Sequence, residues 1–322
     1  VTGATGFLGR AVCRYLTQHG YAARALARPT AETAFLENLG VSIAYGDVTD
    51  PASVGQAVAG CEFVVHAAAH FRLWGPPEPF WCTNVEGARH VLEAALAAGV
   101  KRLVHVSTII VVGPQPRRAV ITEETPCRPH PTDHYALSKK AGEELALSYT
   151  GRGLPVIALR LGALYGPHGH YGFNRLFFEE FLRHWRVQVH GGHRIIFPCF
   201  VDDAAWAIEA ALRRGRAGQV YNVSGQSIAH REANRLVSRI TGRSNWRVNI
   251  PGWLMINVAR LLEAAARVTG REPYYPLNLA PYVFCDWVVN SSKAARDLGF
   301  APIPFEEGAR RTLAWYRSVG YW

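Results

Sequence analysis

Along the first 165 residues, short apolar runs alternate with stretches whose apolar positions recur every three or four residues. The short runs predict strands over residues 22–27, 41–45, 63–66, 102–107 and 155–160. The longer period predicts helices over 7–19, 31–39, 51–58, 80–98 and 135–149. Strands and helices in this alternation imply parallel strands with crossover helices on both faces, an α/β Rossmann doubly wound parallel sheet. Such a sheet offers its ligand site at the C-terminal ends of the strands, near the point where the strand order reverses. Beyond about residue 165 the rhythm breaks. Helices are predicted over 173–185, 203–213, 254–268 and 305–319, and strands over 195–201 and 220–223. Residues 1–165 are therefore read as a first domain built on this sheet. Residues 166–322 are read as a smaller, mainly substrate-binding C-terminal lobe, with some elements returning to the first sheet.

The head of this pattern carries the first candidate chemistry. In Val1-Thr2-Gly3-Ala4-Thr5-Gly6-Phe7-Leu8-Gly9 the glycines stand three apart, between a strand end and a helix start. The first permits a tight turn, the second lets backbone approach a pyrophosphate, and the third lets the helix pack closely on the strand. The helix N-terminus supplies free N–H groups and partial positive charge, so residues 1–165 are read as a dinucleotide-binding domain. The next strand ends Arg24-Ala25-Leu26-Ala27-Arg28, without the acid that would accept from a ribose 2′-OH. Two arginines suit a 2′-phosphate instead, so NADP is preferred over NAD. Asp47, with Val48, ends the following strand, where a carboxylate can accept from an adenine amino group. Ala67, Ala68 and Ala69 follow the next strand and leave room for a cofactor.

A second constellation lies further on. Tyr135 and Lys139 are four apart, hence on one helix face, where an ammonium can lower the pKa of a phenol. Upstream, Ser107 and Thr108 end a strand, and one of the two hydroxyls would hydrogen-bond a reacting oxygen.

Together these features resemble the extended short-chain dehydrogenases/reductases of the epimerase/dehydratase superfamily. The resemblance runs through the TGATGFLG turn, Asp47, Asn84-Val85-Glu86-Gly87, the hydroxyl strand, Tyr135/Lys139 and Arg160-Leu161-Gly162-Ala163-Leu164-Tyr165-Gly166-Pro167. It continues through Phe200-Val201-Asp202-Asp203 and Ser292-Lys293-Ala294. It implies an enzyme that passes hydride to or from a nicotinamide cofactor. It places Phe7, Leu8, Val48, Asn84, Val106, Leu161, Gly162 and Ala163 against that cofactor. Counted back from Gly113, Thr108 falls on the catalytic hydroxyl position, with Ser107 the second choice. Leu161 stands where the family usually has proline, and Val112 where sugar-nucleotide members have tyrosine. Ile109-Ile110 occupy the place of the acidic pair of the dehydratase branch.

The arginine-bearing second strand and the segment 69–74 resemble the dihydroflavonol reductase and 3β-hydroxysteroid dehydrogenase branch. The implied function is an NADP-dependent exchange of ketone and secondary alcohol on a fairly apolar, sterol-like or polyphenol-like substrate. The alternatives are an NAD-dependent nucleotide-sugar epimerase and a non-catalytic redox sensor. Phe71, Trp74 and Tyr165 are candidate substrate contacts, and Phe80 and Trp81 either line the same pocket or pack at a lobe interface. Phe177, Phe178, Phe181 and Trp185 read as core or lobe interface rather than substrate wall.

Composition narrows this only a little. Hydrophobic residues make up 49% and charged residues 19%, the balance of a globular chain. The formal charge of +10 comes from arginines spread singly or in short pairs, so no nucleic-acid partner is expected. Six cysteines without a CxxC pair read as reduced thiols, and His190 and His193 lack neighbours that would make a metal site. No run is long enough to span a membrane and no signal peptide is seen, so a cytoplasmic protein is expected. Val1 in place of Met implies a few missing residues. The amphipathic stretch 251–270 either touches a membrane surface, lids an apolar substrate or packs on its own lobe. A homodimer is the further partner that the resemblance implies.

Overall fold

The computed structural model describes residues 1–321. Thr2 bridges both Leu26 and His66 in parallel, so the first residues of the chain lie at the middle of the main sheet. Across the sheet the order is Ser42–Tyr45, Arg24–Ala27, Thr2, Phe63–His66, Arg102–Thr108, Val156–Leu161 and Val220–Val223, every pairing parallel. The chain fills one side of Thr2 first and then crosses to the other. The strand order therefore reverses beside the glycine turn, where an open α/β sheet binds its ligand.

The central strands are apolar because both faces are covered. Val156–Leu161 is buried throughout, and Arg102–Thr108 is buried at all but its ends. On one face the helices Phe7–Gln18 and Val201–Arg214 contribute Ala11, Val12, Leu16, Ala204 and Ile208 to a core with Val104 and Leu159. On the other face Val54, Val91, Leu92 and Ala146 pack against Leu103 and Val156. Asp50 caps Pro51–Val58 by accepting from the amides of Ala52 and Ser53. Val201–Arg214 carries Asp202 and Asp203 in its first turn and Arg213 and Arg214 in its last, matched to the helix dipole.

Several elements differ from the pattern reading. The helix over 80–98 is three pieces: Pro77–Trp81, a π-helical turn Cys82–Glu86, and Gly87–Ala97. The helix over 173–185 starts where expected but stops at Leu182, running through a π turn Arg175–Glu179 into the short Glu180–Leu182. Phe177, Phe178 and Phe181 do join a core with Tyr165 and Phe200, whereas Trp185 is exposed because the helix ends before it. The strand over 195–201 divides at Phe197: Ile195–Ile196 pairs with Ile228–Ala229, and Pro198–Phe200 with Ala163–Tyr165. The helix His230–Thr241 escaped the sequence pattern. It buries Ala233 and Val237 while its charged residues face outward.

Candidate active site

The glycine turn has the shape its spacing implied. Gly3 adopts φ +67°, and a Cβ there would lie 2.7 Å from the Ala68 amide nitrogen. A Cβ on Gly9 would lie 2.0 Å from the Gly3 carbonyl oxygen, so both close approaches require glycine. Gly6 heads Phe7–Gln18 with no side-chain cap and no acid in the first turn. The amides of Phe7, Leu8 and Gly9 are thus left for an anion, and this donor set fits a dinucleotide pyrophosphate. Thr2 fastens the turn to the neighbouring strand: its Oγ1 lies 2.8 Å from His66 Nδ1 and accepts from the Ala68 amide at 3.1 Å. Ala67 and Ala68 are half-buried and Ala69 is exposed, leaving an open ledge beside the turn.

At the adenosine end the two arginines separate. Arg24 opens its strand and Arg28 follows it, so they lie at opposite ends. Arg24 Nη1 donates to the carbonyls of Ala57 at 3.0 Å and Ala59 at 2.7 Å, capping the C-terminus of Pro51–Val58. It is therefore not a ribose contact, which corrects the sequence expectation. Arg28 is exposed at the ligand end. Asp47 spends Oδ1 on the amide and hydroxyl of Thr49, both at 2.9 Å. Val48 is buried, and its carbonyl accepts from His90 Nδ1.

Tyr135 and Lys139 stand in the first two turns of His134–Ser148, capped by Asp133 through the Ala136 amide. Lys139 is buried, and its Nζ donates to the Val106 carbonyl at 2.6 Å. Burial pulls its pKa down to about 8, with Glu143 opposing the shift. Burial, and then the carboxylate of Asp133, hold the Tyr135 phenol well above its ordinary value. The net shift is therefore upward, where the spacing predicts a lowering by Lys139, because desolvation of the phenolate dominates it.

The strand alternation puts Ser107 and Thr108 on opposite faces. Ser107 is buried, and its Oγ has no hydrogen-bond partner among the described residues. Thr108 keeps some exposure at the strand end and accepts weakly from the Ile110 amide at 3.5 Å. Asn84, in the π turn, is fully buried. It accepts from the His70 amide at 2.7 Å and donates to Ser138 Oγ at 2.9 Å. Its side-chain amide thus ties His70 to the helix that bears Tyr135. Leu161 is buried at its strand end. Gly162 is held by the Val223 carbonyl, where a Cβ would meet the Phe197 oxygen at 2.5 Å, and the Ala163 amide donates to that same oxygen. Tyr165 is not at a substrate surface: it is buried among Phe173, Phe178, Phe200 and Phe305.

Of the aromatic candidates, Phe71 reaches the site. Its exposed ring lies 4.7 Å from that of Tyr135, centroid to centroid. Trp74 is half-buried nearby in sequence, Phe80 packs on His70 and His134, and Trp81 is exposed.

Sequence reasoning missed three groups. Glu143, four residues past Lys139, makes a buried pair with Arg160 at 2.6 Å that clamps the active-site helix to the sheet. The recurrence of Tyr135, Lys139 and Glu143 at four-residue steps was an available signal. Tyr171 packs edge-on against Phe71 at 5.2 Å and donates to Glu272 at 2.5 Å, and no local pattern announces that contact. His66 and His105 are register partners in adjacent strands, buried with rings 5.3 Å apart.

Fold and site together define an NAD(P)-dependent oxidoreductase of the extended short-chain dehydrogenase/reductase type. The NAD dependent epimerase/dehydratase family matches residues 1–224, and the chain belongs to it. It is 30% identical to a 2-alkyl-3-oxoalkanoate reductase of Shewanella oneidensis, over 98% of this chain and 85% of that protein. It is 29% identical to sterol demethylase protein B of Methylococcus capsulatus, over 99% of this chain and 98% of the relative. Among solved structures, a double mutant of DesIV, the dTDP-glucose 4,6-dehydratase of Streptomyces venezuelae with NAD bound, superposes with a TM-score of 0.79. It is 25% identical, and the match covers 100% of this chain and 97% of that one. Among the described residues no helix is long and apolar enough to cross a membrane.

Proposed function

We propose that the protein interconverts a ketone and a secondary alcohol on a fairly apolar, sterol-like or polyphenol-like substrate, with NADP as its cofactor. The observation that carries the reading is the exposed Phe71 ring 4.7 Å from Tyr135, which sets an apolar wall beside a proton donor. Residues 1–165 hold the cofactor, and the remainder of the chain mainly shapes the substrate side.

When bound, the dinucleotide supplies or takes the hydride at the carbinol carbon. The amides of Phe7, Leu8 and Gly9 hold its pyrophosphate, and Arg28 its 2′-phosphate. Tyr135 gives its phenolic proton to the substrate oxygen in reduction and takes it back in oxidation. Thr108, with the accessible hydroxyl, donates a hydrogen bond to that oxygen and polarises the carbonyl; Ser107 is the second choice. Lys139, fixed on Val106, keeps positive charge beneath the phenol. The sterol and oxoalkanoate names of the two relatives agree with an apolar ketone or alcohol.

The test is a fluorescence titration with NADPH and NADH, followed by a panel of apolar ketones. Reversible NADPH binding and turnover on the panel are expected, and loss of turnover in Tyr135→Phe. Near wild-type turnover in that variant would overturn the assignment.

The family name and the DesIV likeness favour a second reading, a nucleotide-sugar epimerase holding NAD tightly. NAD released from the purified protein on denaturation would select it. The dehydratase variant of that chemistry lacks its acids, since Ile109 and Ile110 are buried in an apolar cluster with Val111, Val112 and Trp287.

A further inference from the structure

The helix Gly252–Thr269 buries Gly252, Ala259, Glu263 and Ala266 against its own lobe. At 3.6 residues per turn, the opposite face carries Leu254, Val258, Leu261, Ala265 and Val268, spaced alternately four and three. This seam is bare: Leu261 is 72% exposed and Val268 88%. Trp253, 66% exposed, stands at its edge. Arg260 and Arg267, seven residues apart and both exposed, run along one flank. The helix has one acid, Glu263, which is turned inward and accepts from the Leu277 amide at 2.7 Å. The outward face therefore combines an apolar stripe with cationic charge and no anionic group.

We propose that this face docks on an anionic lipid surface, with the seam entering the headgroup–acyl boundary and the two arginines paired with lipid phosphates. Charge complementarity selects the occupant. In a two-fold pairing the same patch meets itself, and a second copy would bring only further arginines to a face that has no acid to receive them. The location also connects to the site. Three residues past the helix, Glu272 accepts from Tyr171 and from the Leu73 amide at 3.1 Å, and Tyr171 backs Phe71 over Tyr135. A docked enzyme would take an apolar substrate from the bilayer close to its proton donor. That last step rests on the function proposed above, and the docking does not.

The experiment is flotation of the full chain with vesicles of phosphatidylglycerol and phosphatidylcholine, against phosphatidylcholine alone. Binding to the mixed vesicles only is expected, weakening as salt screens the arginines. Replacing both Arg260 and Arg267 by alanine should lower partition by roughly thirtyfold, about fivefold for each. Leu261→Glu should abolish it, and at so exposed a position this variant keeps the wild-type melting curve. No flotation with mixed vesicles, or equal flotation of Leu261→Glu, would overturn the proposal. So would a dimer in sedimentation that Leu261→Glu dissolves, since a second copy would then be the occupant. Turnover of a water-soluble ketone in Leu261→Glu reports on the active site separately from docking.

Discussion

Lys139 Nζ is anchored on the Val106 carbonyl at 2.6 Å, so the helix bearing Tyr135 and Lys139, the proposed catalytic pair, is pinned to the strand that bears Ser107 and Thr108. Lys139→Met removes the donor to that carbonyl and a buried positive charge one helical turn from Tyr135. Turnover should fall by roughly a hundredfold or more, within the range of general acid–base losses. Lys139→Arg should not restore it, because a planar guanidinium does not fit a site shaped for a compact ammonium. Recovery by arginine to near wild-type kcat would show that only the charge matters.

The pH dependence should differ with direction. Burial and Asp133 hold the Tyr135 phenol protonated through neutral pH, the form that reduction needs. Oxidation needs the phenolate, which grows as pH rises. Ketone reduction should stay flat below neutrality and fall through about pH 8, where Lys139 has lost half its charge, and alcohol oxidation should climb throughout. A reduction rate that rises with pH through neutrality would assign the proton to another group.

Cofactor choice separates the two arginines of the second strand. Arg28→Ala should weaken NADPH about tenfold and leave NADH unchanged, the loss expected for one charge-assisted hydrogen bond. Arg24→Ala should leave the selectivity alone and lower stability by about 1 kcal/mol, because its partners are the carbonyls of Ala57 and Ala59. Titrations of both variants with both dinucleotides decide it, and a change of selectivity in Arg24→Ala would contradict the placement.

The Glu143–Arg160 pair should dominate the stability of the active-site helix. Both partners are buried, so Arg160→Leu strands a carboxylate and should cost about 3–5 kcal/mol in urea unfolding. Replacing both partners by apolar residues should recover most of that loss. If the single and double variants were equally unstable, the cost would lie in packing and not in the unpaired charge.

Acid should unfold the protein through its buried histidines. Burial holds His66 down to about 3, His230 to about 4, and His105 well below its ordinary 6.5. As pH falls through 6.5 the unfolded chain takes up protons that the folded chain refuses. Stability present above 6.5 is therefore lost progressively toward pH 3–4. His105→Phe removes one such site, together with two buried nitrogens that have no partner among the described residues. Its melting temperature should fall less steeply with acid than the wild type's. An identical slope would rule His105 out as a contributor.

The sequence by itself determined what depends on near neighbours in the chain. The Gly3, Gly6, Gly9 turn was legible because close approach and positive φ are demands that one residue type meets. Tyr135 and Lys139 were legible because a four-residue step shares a helix face, and the doubly wound sheet because its strands and helices differ in period. Only the tertiary structure decided which candidates lie where. Arg24 and Arg28 look alike in sequence, but a strand has two ends and only one faces the ligand. Tyr165 lies within the 160–167 segment that carries the family resemblance, yet an aromatic core encloses it. Phe71, Tyr171 and Glu272 share one wall across two hundred residues of chain, and Asn84 is consumed by His70 and Ser138. These choices depend on which surfaces meet when the later elements pack on the sheet. Contact across long sequence separation leaves no period in the chain to read.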